Sequence, residues 1–154
     1  RNKDGASPWI DDPNLLPTEG INTMLDNLIA ASGAAAYISL YASAISPAAN
    51  WTAASYPATA AEITSGSEGY TEGTRVAWST AAAASGSKDN YASAAVFTII
   101  TATTLTANGV GLHTVSTKGG ATGKLLSATR FGSARSFSNT DEFDVKYRLT
   151  ITSS

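Results

Sequence analysis

One histidine, no cysteine and twelve carboxylates bound the chemistry this chain can carry. His113 sits in the apolar run Val110–Val115. As a general base it would need a nucleophile and an orienting carboxylate brought to it by the fold. No Gly-x-Ser-x-Gly elbow supplies the nucleophile, so a structural or surface histidine is expected. Asp141, Glu142 and Asp144 form the densest acidic group. Their oxygens suit Ca²⁺, but the Gly and distal Glu of an EF-hand loop are missing, and solvated charges are expected. Gly119-Gly120-Ala121-Thr122-Gly123-Lys124 looks like a phosphate loop. Position 118 is Lys where the first Gly belongs, and Leu125 stands where a Mg²⁺-binding Ser or Thr is needed, so it reads as a glycine turn. Glu72 and Arg75 are spaced for a local ion pair, worth little if exposed. Asn50-Trp51-Thr52 formally matches a glycosylation sequon. No catalytic, metal or cofactor residue is assigned. A carboxylate hydrolase would need two acids about 5–10 Å apart across a cleft, which spacing along a chain does not reveal.

Composition narrows the classes further. At 154 residues the chain is long enough to bury a core as one domain without staples. Charged residues make up 14%, against about 25% in an ordinary soluble protein, and Ala, Ser, Thr and Gly take their place. Small neutral side chains permit close contacts, so much of this surface suits burial by neighbouring subunits. The net charge of −2 divides unevenly. Residues 1–77 carry eight acids against three bases, and residues 78–154 carry seven bases against four acids. The bases are dispersed, so a phosphate-binding face is not expected and nucleic acid is excluded as a partner. No apolar run approaches the roughly 18 residues that cross a bilayer. Residues 28–45 come nearest, but Ser32, Gly33, Ser39 and Ser43 interrupt them, and a soluble, non-membrane protein is expected. Absence of cysteine fits synthesis in a reducing cytoplasm. Arg rather than Met at position 1 fits a chain whose first residues have been removed or left out.

These residues need elements to position them. Residues 1–17 (RNKDGASPWIDDPNLLP) hold three of the five prolines and predict an extended N-terminal arm. Trp9, Ile10, Leu15 and Leu16 are its apolar anchors. Thr18 can cap a helix over 18–31, in which Ile21, Leu25, Leu28 and Ile29 share a face, with Gly33 as its stop. A first strand is expected over Ala36–Tyr41. Residues 46–73 read as a surface excursion with a helical turn near Thr59–Ile63. Its Trp51, Tyr56 and Tyr70 are either tucked under the loop or presented as a contact surface. Strands follow at Arg75–Thr80, Ala94–Thr101, Thr104–Val115, Lys124–Phe131 and Phe143–Thr152, broken at 85–90, Asn108-Gly109, 118–120 and 131–133. In the last strand Phe143, Val145, Tyr147, Leu149 and Ile151 alternate with polar residues and predict one buried face. Together these elements predict an all-β fold: an antiparallel, jelly-roll-like β-sandwich over 18–154 with one short N-terminal helix.

Three stretches, Tyr70–Ser79 (YTEGTRVAWS), Lys88–Ile99 (KDNYASAAVFTI) and Ser116–Leu126 (STKGGATGKLL), precede the terminal strand. In that order they resemble small structural proteins of tailed bacteriophages encoded among head and tail genes. The likeness covers roughly residues 20–154; the arm 1–17 and a longer 46–69 loop depart from it. The resemblance implies a non-enzymatic virion protein without cofactor, made in the bacterial host cytoplasm. With the low charge and the anchored arm, the expectation is a capsid decoration or cement subunit, homo-oligomeric and bound to the major capsid protein or other virion subunits. Interface candidates are Trp9, Ile10, Leu15, Leu16, Trp51, Tyr56 and Tyr70. The alternatives are a tail, baseplate or fibre component, or a glycan-binding adhesin stacking sugars on Trp51, Tyr56, Tyr70 or Trp78.

Overall fold

Branched and aromatic side chains that crowd a helix pack well on a pleated surface, and the regular structure of the described residues is accordingly mostly strand, 41% against 5% helix. The computed structural model describes residues 25–26 and 35–151. Among the described residues nine strands run in order: β1 (Tyr37–Tyr41), β2 (Gly69–Tyr70), β3 (Val76–Ala77), β4 (Ser87–Asp89), β5 (Ala95–Ile100), β6 (Leu105–His113), β7 (Leu125–Phe137), β8 (Glu142–Val145) and β9 (Arg148–Thr150). One helical turn, α1 (Tyr56–Thr59), lies between β1 and β2. All pairings are antiparallel, in sheets ordered β3-β1-β6-β7, β2-β5-β8 and β4-β9. No helix among the described residues is long and apolar enough to cross a membrane.

The core lies between the first two sheets. Ile38 and Leu40 of β1 and Val110 and Leu112 of β6 meet Phe97 and Ile99 of β5, all at most 1% exposed. Successive side chains on a strand point to opposite faces, so Ser39, Tyr41, Gly109, Gly111 and His113 face the other way. They are buried too. Residues 51–60 cover them, through a triangle of edge-to-face rings: Tyr41, Trp51 and Tyr56 have centroids 6.0–6.1 Å apart. Expected as a surface excursion, this segment is instead a third layer. Its helical turn lies at 56–59, before the expected position, because Pro57 is tolerated in a first turn. Glycine makes the close approach possible: a Cβ at Gly111 would meet the Tyr56 ring and His113 Nε2 at 2.7–2.8 Å, and one at Gly109 would strike the Tyr41 ring.

Several expected boundaries move. Only Val76–Ala77 of the expected 75–80 strand pairs. Asn108-Gly109, expected as a break, lies inside β6, and β7 runs on through 131–133 to Phe137. Both departures have one cause. Ala107 pairs with Arg135 and Gly109 with Arg130, so Phe131–Ala134 bulge out opposite Asn108 and the ladder resumes. The expected 143–152 strand is two strands: β8 pairs with β5, and β9 pairs with β4 in another sheet. Its alternation nevertheless holds through the switch. Phe143, Val145, Tyr147, Leu149 and Ile151 are buried or half-buried, and residues 144, 146, 148 and 150 are exposed. Thr152 lies outside the described residues. Of the 18–31 helix only Leu25 and Asp26 are described, both helical. The rest of that helix and the arm lie outside the described residues, with Trp9, Ile10, Leu15 and Leu16.

Candidate functional site: a buried polar core and an open groove

Two groupings of chemically capable side chains emerge, one sealed and one open. In the sealed one, β1 sets Ser39 opposite Gly111. Ser39 Oγ lies 2.8 Å from the Tyr56 hydroxyl and 2.9 Å from His113 Nε2. A serine beside a histidine suggests a nucleophile and its base, but two facts oppose that. Ser39, Tyr56 and His113 are at most 1% exposed, so no solute reaches the oxygen. His113 Nδ1 is also buried without a hydrogen-bond partner among the described residues. A buried N–H without an acceptor is rarer and costlier than a bare lone pair, which assigns the proton to Nε2. Nε2 then donates to Ser39 instead of accepting from it. Burial, with a smaller contribution from the Arg75 charge, pushes the imidazole down to about 3. Burial likewise pushes the Tyr56 hydroxyl far up, against the hydrogen bond from Ser39.

Beside this trio lies a fully buried ion pair. Arg75 Nε and Nη2 donate to Glu62 Oε1 and Oε2 at 2.8 and 2.7 Å, with both side chains 0% exposed. The fork also donates to the Val115 and Gly120 carbonyls at 3.0 and 3.2 Å. The expected Glu72–Arg75 pair does not form, since Glu72 accepts the Thr98 N–H instead. Lys118 Nζ donates to the Tyr70 carbonyl at 2.8 Å and stands 3.5 Å from the Tyr70 ring centroid. Burial holds that ammonium below its usual range. The turn between β6 and β7 that delivers these partners has positive φ at Gly119 and Gly123, 66° and 78°, a conformation glycine adopts without strain. Tyr70–Ser79 and Ser116–Leu126 thus meet at one place. The third stretch works similarly. Asn90 accepts the Tyr147 N–H at 2.6 Å and donates to the Val145 carbonyl at 3.0 Å, clamping the point where the chain changes sheet.

The open grouping lies between β7 and β8, each the last strand of its sheet among the described residues. Phe131 and Phe137 of β7 converge on Phe143 of β8, with centroids 5.9 and 4.8 Å apart. All three are half-buried, and with Val145 they floor a groove rimmed by Arg135, Asp144 and Lys146. The rim charges are exposed. Backbone groups on the outer sides of β7 and β8 have no strand partner among the described residues, so the groove offers hydrogen bonds beside an apolar floor, the combination that receives an extended segment.

Several expected site residues fall elsewhere. Tyr56 and Tyr70 are 0% exposed and present no contact surface; they were drawn inward by Gly111 and by Phe97, whose ring is 4.9 Å from Tyr70. Trp78, offered for sugar stacking, is 4% exposed, with its indole N–H donated to the Tyr147 carbonyl. Trp51 is half-buried. The exposed tyrosine is Tyr91, one face of which is covered by Arg148 at 4.6 Å. Among the described residues no three His, Asp or Glu side chains are grouped to hold a metal ion. The phenylalanine groove was missed because its residues come from a bulge and a sheet edge. The signal available was Phe137, the one large apolar residue in the polar stretch 132–142. Comparison with known families finds no family model that matches the chain, and no curated protein matches it.

Proposed function

We propose that this chain is a non-enzymatic structural protein of a bacteriophage virion, acting as a capsid decoration or cement subunit. The observation that carries the reading is the open groove: two sheets end side by side over three half-buried phenylalanines, on a surface with few charges. A subunit of this form works by many weak joints, each burying modest apolar area, which a repeated lattice multiplies into firm attachment. The resemblance of residues 70–79, 88–99 and 116–126 to phage head and tail proteins supports the virion setting. Those stretches supply the fold's internal fastenings, so they would persist while the partner surface varied. The test is location. Gold-labelled antibody on purified virions should decorate the shell at regular intervals. Labelling confined to the tail would replace cement by a tail or baseplate role, and its absence from virions would reject the reading.

A further inference from the structure

Residues 8–16, Pro-Trp-Ile-Asp-Asp-Pro-Asn-Leu-Leu, pair two apolar dipeptides around two carboxylates. The β7–β8 groove pairs a phenylalanine floor with a rim of Arg135 and Lys146 against the single carboxylate Asp144. We infer that this groove receives the Trp9–Leu16 segment of a second copy of the chain, so that subunits are joined by exchanged arms; this rests on the structural-subunit reading above.

Three features carry the assignment. The first is charge. Between their apolar pairs the arm residues present Asp11 and Asp12, and the groove's rim carries two cations, Arg135 and Lys146, against the one carboxylate of Asp144. Opposite charges at a rim fix register and partner choice more than they add affinity. The second is backbone. β7 and β8 each have an outer edge without a strand partner among the described residues, and an extended segment satisfies such an edge by adding to it. Pro8 and Pro13 lack N–H groups, which confines hydrogen bonding to a short stretch between them and leaves Trp9, Ile10, Leu15 and Leu16 to be sorted by the floor. The third is reach. Leu25, buried, and Asp26, whose carboxylate accepts from Lys88 Nζ at 2.7 Å, fix where the N-terminal segment leaves the body. With the helix expected from Thr18, the chain from Leu16 to Leu25 spans up to about 17 Å, and the extended residues before Leu16 add to that reach.

The absence of cysteine makes a clean experiment possible. Unlabelled full-length Asn14→Cys chain, carrying a thiol-linked benzophenone, is mixed with uniformly ¹⁵N-labelled wild-type chain, irradiated, digested and read by mass spectrometry. The expected product joins unlabelled arm peptide to ¹⁵N peptides from residues 131–146. Replacing the ¹⁵N partner by its Arg135→Glu, Lys146→Glu variant, two exposed positions, should lower that yield about fivefold or more. Restoring it should take Asp11→Lys and Asp12→Lys in the benzophenone chain. Links confined to one isotopic chain would place the arm on its own body and overturn the exchange. Links to another surface, no links, or a yield blind to charge reversal would overturn the groove. The assay uses purified protein alone, so its failure leaves the location test on virions standing.

Discussion

At the residue scale, the side chains that look most reactive are fastenings, and their burial makes them sensitive to protons. The unfolded imidazole of His113 titrates near 6.5, whereas the folded one stays neutral down to about 3. Between those values the unfolded chain binds one more proton, so stability rises with pH, by up to about 1.4 kcal/mol per unit, and is lost as pH falls. Asp26 and Glu68 are held low chiefly by hydrogen bonds from Lys88 and Thr101. Their contribution is present above their ordinary values of 3.8 and 4.5 and fades below them, leaving pH 5–7 to the histidine. Urea denaturation should therefore show stability falling from pH 7 to pH 5 in the wild type and a flatter profile in His113→Gln. An equal slope in both would remove the histidine from the account. Glu62→Gln strands a buried guanidinium and should cost roughly 3–5 kcal/mol, read as a lower urea midpoint at unchanged m. Arg75→Lys should not rescue the site, because one ammonium cannot replace a fork that reaches Glu62, Val115 and Gly120 together.

At the scale of elements, the C-terminal segment is the keystone, since β8 and β9 close two different sheets and the Asn90 amide fixes the hinge between them. Asn90→Ala leaves a buried carbonyl and a buried N–H without partners, at about 1–3 kcal/mol each. Its melting temperature should fall by several degrees, and hydrogen exchange at Tyr147 should accelerate more than at Ile99. Tyr147 is held at both ends: Trp78 Nε1 donates to its carbonyl at 3.2 Å, and its hydroxyl donates to Ser127 at 2.8 Å. Truncating it together with Leu149 removes two large core groups, several kcal/mol against a total of about 5–15, so the Tyr147→Ala, Leu149→Ala double variant should yield no soluble fold. Recovery of a folded double variant would show that β9 is dispensable.

At the scale of the whole molecule, the sandwich and the arm have separate duties. Deleting residues 1–12 removes the Trp9-Ile10 pair without touching any contact described in the body. At a dilution where the subunits are separate, the truncated chain should melt within a degree or two of the full chain, and it should fail to enter particles. A large loss of melting temperature would make the arm part of the core.

What the sequence determined by itself was periodic or local. Alternation from Phe143 to Ile151 marked the buried face even where the strand turned out to be two, because side-chain direction survives a change of partner. Glycine marked the 118–123 turn, whereas the helical turn expected near Thr59–Ile63 formed earlier, at Tyr56–Thr59. Tertiary structure decided the rest. Nothing near Arg75 in the chain distinguishes Glu72 from Glu62 as its partner; only the fold brings Glu62 under the guanidinium. Nothing in residues 51–60 says that their aromatics seal a sheet, since that depends on Gly109 and Gly111, some fifty residues away, leaving space for the rings. The groove depends on a four-residue bulge in β7 and on which strands end their sheets. Propensity fixes neither feature, because both arise from pairing between distant segments, and the free energy of such pairing belongs to the partners jointly rather than to either sequence alone.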